Sequence, residues 1–451
     1  MAVAAMDVLC CRITVGDPDP DNPMKILNGV EMTEVHTIEI NESYKKLIGT
    51  AKVTFPKGSV CRSTIIGNVT LEGKDVSRLT TEIMEDGVLI EKRTTQRLVD
   101  ETTFKIGQRI NIMLGYNGVM KNMFDGYITG YNSDSMLEIQ CENMAYKLKL
   151  KKAPLFETPV KGTTVNDVLE GKYNILKDTG FKIHSDTKKY EIHIGKVKVT
   201  DNFTVADILS EWSRYKVYCF LKYDAEDDGA MPAIAVGRPY SSSKAQPVFP
   251  EDSGTGPFKI YFNEHVAQSN LKALKTDPKF LAVTGKALGT DEKFFEVTVR
   301  LNPEYDPDSP GSKEFQTVNA TQISKKSHKV TGNTTAAGAD TRTKVDLSTY
   351  TIVPYMSPHV GINSDQLVEE TTEYFRNYNL NGITGTLTIF GDFGLVPAVQ
   401  VELVDLRNPS KNGVYLVEEV TTTFGVNGYR QQLSIPYRIC LLYTSPSPRD
   451  S

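Results

Sequence analysis

The 451-residue chain has no run of about 18 apolar residues, the length a helix needs to cross a bilayer, so no helical membrane span is expected. Its start, MAVAAMDVLCCRITVGDPDPD, carries no basic stretch ahead of the short apolar one and reads as soluble and unexported. An excess of one charge is missing too: 51 basic residues against 56 acidic ones leave −5. No overall basic field recruits nucleic acid or anionic lipid, and proteins are the expected partners. Of the six cysteines, Cys10, Cys11, Cys61, Cys141 and Cys219 show neither CxxC nor Cys/His ligand spacing; Cys61, Cys141 and Cys219 sit in apolar, strand-like surroundings. Buried reduced thiols are the expectation. The histidines (His36, His184, His193, His265, His328, His359) are scattered without an HExxH, so neither a metal nor another cofactor is expected.

Catalytic signals are equally scarce. Glu369 and Glu370 fall early in a helix, where acids favour the positive end of its dipole, and Glu418 and Glu419 lie on opposite faces of a strand. Nothing sets either pair in the apolar pocket that acid catalysis requires. The DPDPDNP run from Asp17 to Pro23 lacks the Gly and terminal Glu of a calcium loop, and GITGTLTIFGDFG lacks the Lys-Ser/Thr ending of a phosphate loop. The basic runs KLKLKK (Lys147–Lys152) and SKKSHK (Ser324–Lys329) are too short for nucleic-acid readout and read as solvated charge. The single tryptophan, Trp212, falls on the apolar face of a helix and reads as core, not as a sugar platform. No enzyme is expected, and no catalytic residue is assigned.

What is present is β-forming: Tyr, Phe and Thr are plentiful, and the length calls for several domains. Between Val30 and Phe55, Ile38 and Ile40 alternate with polar residues, as do Ala51, Val53 and Phe55, predicting two strands joined by a longer NESYKKLIG connection. Ile110, Ile112 and Leu114 alternate next, then Asn117-Gly118 supplies a type I′ hairpin turn. The chain returns from Met123 to Ile128, and Leu137, Ile139 and Cys141 complete a three-stranded meander. From about Pro154 the apolar spacing becomes helical. Thr163 or Thr164 caps a helix carrying Val165, Val168, Leu169 and Leu176, stopped by Gly180, and Thr204 caps one carrying Val205, Ile208, Leu209 and Trp212. Short strands FKIHS and KVYCFLKY and a DAEDDGAMP hairpin loop make this insert α+β. β signals resume at Phe258–Phe262, Phe280–Thr284 and Phe294–Leu301. A polar stretch from Asn302 to Thr349 reads as a surface excursion. Ser364 then caps a helix bearing Leu367, Val368, Thr371, Phe375 and Tyr378, and ITGTLTIFG, AVQVELVD, GVYLVEEVTTTF and YRQQLSIPY read as the strands of a second antiparallel sheet.

The order of these pieces resembles the phage late control D and contractile-tail baseplate hub family, whose fold is shared with the first part of type VI secretion VgrG spike proteins. KIGQRINIMLGYNGVMKNMFDGYITGYN carries part of the likeness, with Gly115, Tyr116, Phe124, Gly126 and Ile128. FTVADILSEWSRYKVYCFLKYD carries another part. The third is IFGDFGLVPAVQVELVD with NGVYLVEEVTTTFGVNGYRQQLSI, where Gly391, Pro397, Gly413, Tyr415, Val417, Gly425 and Tyr429 match; together the match spans most of residues 25 to 437. The resemblance implies a homotrimer. Each subunit would contribute two tube-like antiparallel β-barrel domains flanking a small α/β domain, a mainly β chain with an α+β insert, in a ring around a channel.

The implied division is 1–152 for the first tube-like domain, 153–240 for the insert, 241–257 for a linker and 258–439 for the second tube-like domain, with the polar excursion at 302–349 and a helix at 364–379. Asn117, Gly118, Gly126, Trp212, Gly413 and Gly425 are the structural turn and core positions. The expected role is a virion structural protein of the tail baseplate, assembled in the host cytoplasm, joining tail tube protein to central spike protein beside baseplate wedge proteins. One alternative is the hub part of a VgrG-like spike truncated before its needle. Another is an envelope-directed hydrolase or carbohydrate-binding β protein. The final CLLYTSPSPRDS, residues 440–451, resembles a translated sequencing adapter and is set apart from the fold.

Overall fold

Strict alternation builds the first half of the chain. Its strands are β1 (Leu9–Pro18), β2 (Ile26–Met32), β3 (Thr37–Ser43), β4 (Lys46–Phe55), β5 (Val60–Ile66), β6 (Ser77–Glu85), β7 (Val88–Leu98), β8 (Arg109–Tyr116), β9 (Val119–Asn132) and β10 (Leu137–Asn143). Inward residues such as Ile13, Met32, Ile40, Val53, Cys61, Ile112, Ile128 and Ile139 come from eight of these strands and share one core. The sheet therefore curls around its own apolar face, in the manner of a barrel. The meander over β8, β9 and β10 is present, and Tyr116 pairs with Val119 across a two-residue turn. At that turn Asn117 has φ 52° and Gly118 φ 84°, the positive values a type I′ turn demands. One expectation is corrected: NESYKKLIG is not a long connection. β3 runs on to Ser43 and β4 starts at Lys46, so only Tyr44 and Lys45 turn the chain. The polar residues there are strand residues whose ladder partners hold them.

The computed structural model describes residues 8–66, 77–85, 88–159, 163–188, 194, 197–200, 202–215, 217–223, 231–237, 257–273, 280–288, 294–304, 315–323, 330–332, 347–360, 364–379, 383–436 and 438–439. The SKKSHK run, His193, the DAEDDGAMP loop tip, most of the 241–257 linker and residues 440–451 lie outside the described residues.

α1 (Tyr146–Leu150) follows β10, and the insert expected at 153–240 holds β11 (Phe156–Glu157), α2 (Val165–Leu169), α3 (Ser185–Lys188), β12 (Lys198–Val199), α4 (Val205–Glu211), β13 (Tyr218–Lys222) and β14 (Ala233–Gly237). The two helix starts are capping boxes in which Thr164 with Asp167, and Thr204 with Asp207, satisfy each other's backbone N–H groups. The first helix is shorter than its apolar spacing suggests. It ends at Leu169 because Gly171 follows and its N–H turns back to the Asn166 carbonyl, 2.9 Å away, so Leu176 reaches the core from a loop. FKIHS forms no strand; Ile183 makes only an isolated parallel bridge to Ile234.

The second half contains β15 (Phe258–Tyr261), α5 (Phe262–His265), β16 (Val266–Ala273), β17 (Leu281–Leu288), β18 (Phe294–Leu301), β19 (Phe315–Ile323), β20 (Val330–Gly332), β21 (Thr351–Val360), α6 (Ser364–Asn379), β22 (Ile383–Phe390), β23 (Gln400–Val404), β24 (Gly413–Leu416), β25 (Glu419–Gly425), β26 (Arg430–Ile435) and β27 (Arg438–Ile439). It is not one antiparallel sheet. β17 to β21 form a five-stranded sheet whose β17–β21 pair is parallel, and Leu367 and Phe375 of α6 pack against it. The 302–349 stretch is therefore not a bare excursion: β19 and β20 lie within it, their apolar residues too sparse to show an alternation. The expected strand GVYLVEEVTTTF is also two strands. β24 joins a four-stranded sheet with β15, β23 and β27, and β25 leaves it at Val417 and Glu418.

That departure unites the molecule. β25 is bonded on one side to β26 and on the other to β3, from Glu419↔Ser43 through Gly425↔Thr37. The result is a single 14-stranded sheet in the order β16-β22-β26-β25-β3-β4-β10-β9-β8-β1-β2-β5-β7-β6. Gly425 stands at the end of this ladder, opposite Thr37: its φ is 148° and a Cβ added there would lie 2.3 Å from the His36 carbonyl oxygen. Gly425→Val is expected to lower unfolding free energy by about 2–4 kcal/mol in chemical denaturation, since a β-branched residue meets both backbone strain and a fixed carbonyl.

Candidate functional site

Three parts of the chain meet beside this ladder, and their meeting is the candidate site. Tyr44 at the β3–β4 turn, Tyr218, Phe220 and Ala235 of the insert, and Leu416 of β24 form one small core. Around it, the Tyr44 N–H donates to the Glu418 carbonyl at 3.2 Å, Lys45 pairs with the Glu418 carboxylate, and Lys121 Nζ donates to the Phe393 carbonyl at 2.9 Å. Gln431 on β26 is fully buried; its amide exchanges hydrogen bonds of 2.8 and 2.9 Å with the Leu395 backbone and donates to Thr422 Oγ1 at 3.1 Å. A buried amide is tolerated only when its polar atoms are matched in this way.

A cavity of about 450 Å³ lies at this junction, lined among others by Glu42, Asp125, Phe220, Tyr223, Phe258 and Val396. Its polar floor follows from strand parity. Ile110 and Ile112 point into the first core, so Arg109 and Asn111 take the outer face of β8, where the register sets Asn111 opposite Asp125. An exposed polar face would be unremarked; here the insert covers it. Arg109 is fully buried, with Nη2 3.3 Å from Asp125 Oδ1 and Nη1 donating to the Gly126 carbonyl at 3.3 Å and contacting Met144 Sδ. Asp125 also accepts from Asn111 Nδ2 at 2.9 Å, from Asn122, and from the Tyr223 hydroxyl at 2.9 Å. Tyr223 comes from the residue after β13, so this bond ties the insert to the first half. Burial, then the charge of Asp125, pushes the Tyr223 phenol well up.

Glu42 is different. It is part-buried, and its carboxylate has no hydrogen-bond or ion-pair partner among the described residues; β3 is irregular between Asn41 and Ser43. Desolvation and the like charge of Asp125 raise its carboxyl from the usual 4.5 to about 7.

The residues named from sequence are distributed through the fold, not gathered at this junction. Gly126 lies next to it on β9, where a Cβ would sit 2.1 Å from the Glu142 carbonyl oxygen. Trp212 is in the insert core, Gly413 pairs with Leu403 in the four-stranded sheet, and Asn117, Gly118 and Gly425 hold the turn and the ladder described above. Sequence reasoning missed Glu42, Arg109 and Asp125. A signal existed for the first, since Ile38 and Ile40 set a period that Glu42 continues. The glutamate pairs carry structural contacts: Glu370 accepts from Ser357 Oγ at 2.7 Å and Tyr355 Oη at 3.2 Å. Cys11, Cys61, Cys141 and Cys219 are buried free thiols, and Cys10 is half-buried. The Asp-rich loop is closed by its own turns, with Asp19 accepting from the Asp21 and Asn22 N–H groups. Lys149 of the KLKLKK run pairs with Glu142 at 2.8 Å. Among the described residues no group of three or more His, Cys, Asp or Glu could hold a metal ion, and no helix is long and apolar enough to cross a membrane.

No family model matches the chain, and no curated protein matches it. Among solved structures it is similar to the prophage MuSo2 43 kDa tail protein from Shewanella oneidensis, at 11% identity and TM-score 0.46, covering 94% of this chain and 98% of that one. It is similar to the tail protein from Neisseria meningitidis MC58, at 12% identity and TM-score 0.46, covering 94% and 96%. A third is the Francisella PdpA-VgrG complex, at 9% identity and TM-score 0.44, covering 96% of this chain and 53% of that chain. By their names, these neighbours are a prophage tail protein, a tail protein and a VgrG complex.

Two outcomes test the site's electrostatics. Arg109→Met leaves Asp125 buried without its counter-ion and is expected to cost about 3–5 kcal/mol, with Asp125→Asn in the same chain recovering at least about half; chemical denaturation reads both. Folded Glu42 holds a proton that the unfolded chain releases at its ordinary 4.5, so this group weakens the fold as pH rises from there to about 7. Glu42→Gln should therefore raise the melting temperature by about 1–3 °C at pH 8 and leave it unchanged at pH 4.

Proposed function

We propose that this chain is a structural baseplate hub protein of a phage or phage-like contractile tail, a homotrimeric adaptor between the tail tube and the central spike, and not an enzyme. The observation that carries the reading is the β3–β25 ladder, which makes two β-rich halves one continuous sheet with the insert clamped across their junction. A subunit that must stand in a ring and transmit load needs its two halves fixed to each other, and a shared ladder fixes them without a hinge. The ordered turn-and-strand pattern from residue 25 to 437 supports the same reading. In it, residues 1–152 and 258–439 are the tube-like domains and 153–240 the insert. The tail tube protein, the central spike protein and baseplate wedge proteins are the partners, in the virion, after assembly in the host cytoplasm. The buried polar groups here serve position, not turnover: the carboxylate of Asp125 is fully engaged, and among the described residues Glu42 has no partner base or nucleophile.

Size-exclusion chromatography with light scattering tests this. The purified protein is expected at three times the 50.1 kDa chain mass, with no release of soluble fragments from peptidoglycan. A strict monomer at high concentration, or clear hydrolytic turnover, contradicts the proposal.

A further inference from the structure

We propose that the cavity at the three-way junction is a socket for one Lys or Arg side chain of a partner protein, presented on an apolar stretch of that partner. The inference rests on the cavity itself and stands whether or not the tail placement is right.

Its rim is apolar and open. Tyr223, Phe258 and Val396 are 50%, 42% and 46% exposed, and all three line the same cavity together with buried Phe124 and Leu395. Three large, exposed apolar side chains around one opening suit the methylene stem of a long cationic side chain, whose head then lies deeper than its backbone. The floor is acidic in a specific way. The charge of Asp125 is already answered by Arg109, so an entering cation would find Glu42 as the unanswered carboxylate. Lys46 and Lys222 also line the cavity, yet no ion pair joins either to Glu42 among the described residues, and the charge acting most on Glu42 is that of Asp125. A part-buried carboxylate facing a cavity without a counter-ion is costly, and a charge-assisted hydrogen bond to an ammonium or guanidinium group removes that cost. A bare metal ion fits less well, because two carboxylates, one of them fully engaged, fall short of the oxygen ligands a hard cation requires.

Calorimetric titration of the full chain with two peptides tests the proposal: acetyl-Ser-Leu-Arg-Leu-Ser-amide, and the same peptide with neutral citrulline in place of arginine. At pH 8 the arginine peptide is expected to bind at least about tenfold more tightly. Lowering the pH to 6 should weaken it by about tenfold, because a carboxyl near 7 is then mostly protonated. Glu42→Gln, checked for an intact melting transition, should abolish the preference and its pH dependence while citrulline-peptide binding stays as it was. Equal affinity for the two peptides, a preference that survives Glu42→Gln, or no binding of either peptide overturns the proposal; equal affinity would mark the cavity as a purely apolar anchor site.

Discussion

The pairing of β25 with β3 is the constraint on which the rest of the molecule depends. β25 is central in its sheet: Glu419 to Thr423 lie between β26 and β3, and the β3 side continues to Gly425, so most of its backbone N–H and C=O groups face a neighbouring strand. Its side chains also serve two cores. Val420 points into the core between the 14-stranded and four-stranded sheets, whereas Phe424, two periods of alternation further on, joins the core of the first half. A single strand thus cements two hydrophobic bodies more than 350 positions apart in sequence, as the 380-residue separation of the Thr421–Asn41 side-chain hydrogen bond shows. Closing so long a loop costs only modestly more than closing a shorter one, because the entropy grows with the logarithm of length.

Once that ladder forms, the polar groups near it have few freedoms left. Arg109 and Asn111 occupy the outer face of β8, which docking of the insert turns into an interior. Water is displaced there, so Asp125 must find four protein partners, and it does. A buried ion pair of this kind adds little net stability over a packed apolar pair, because desolvation offsets most of the Coulomb attraction. What the cluster contributes is position: Tyr223 can reach Asp125 only when the insert sits in one place. Glu42 lines the same cavity without any such engagement of its side chain among the described residues, and burial with the charge of Asp125 raises its carboxyl to about 7.

Local features were legible in the sequence where a short-range rule decides them. The Asn117-Gly118 turn, the meander around it and the threonine caps of the two insert helices follow from alternation and hydrogen bonding within a few residues. Longer-range features were hidden. Nothing local marks Val417 and Glu418 as the point where one apparent strand becomes two, because the break is imposed by two different sheets claiming its ends. β19 was illegible for a related reason: FQTVNATQI alternates weakly, and its place in the five-stranded sheet comes from pairing with β18 along its length. The junction cluster was illegible except at Glu42, because Arg109, Asn111 and Asp125 look like an ordinary solvent face until another domain covers them.

Native-state hydrogen exchange, read by mass spectrometry on peptides spanning residues 37–43 and 419–425, addresses the central claim most directly. If the β3–β25 ladder unites the halves, the two segments exchange with the same opening free energy and respond together to denaturant. If 419–425 exchanges readily while 37–43 stays protected, the halves open independently and the account is wrong.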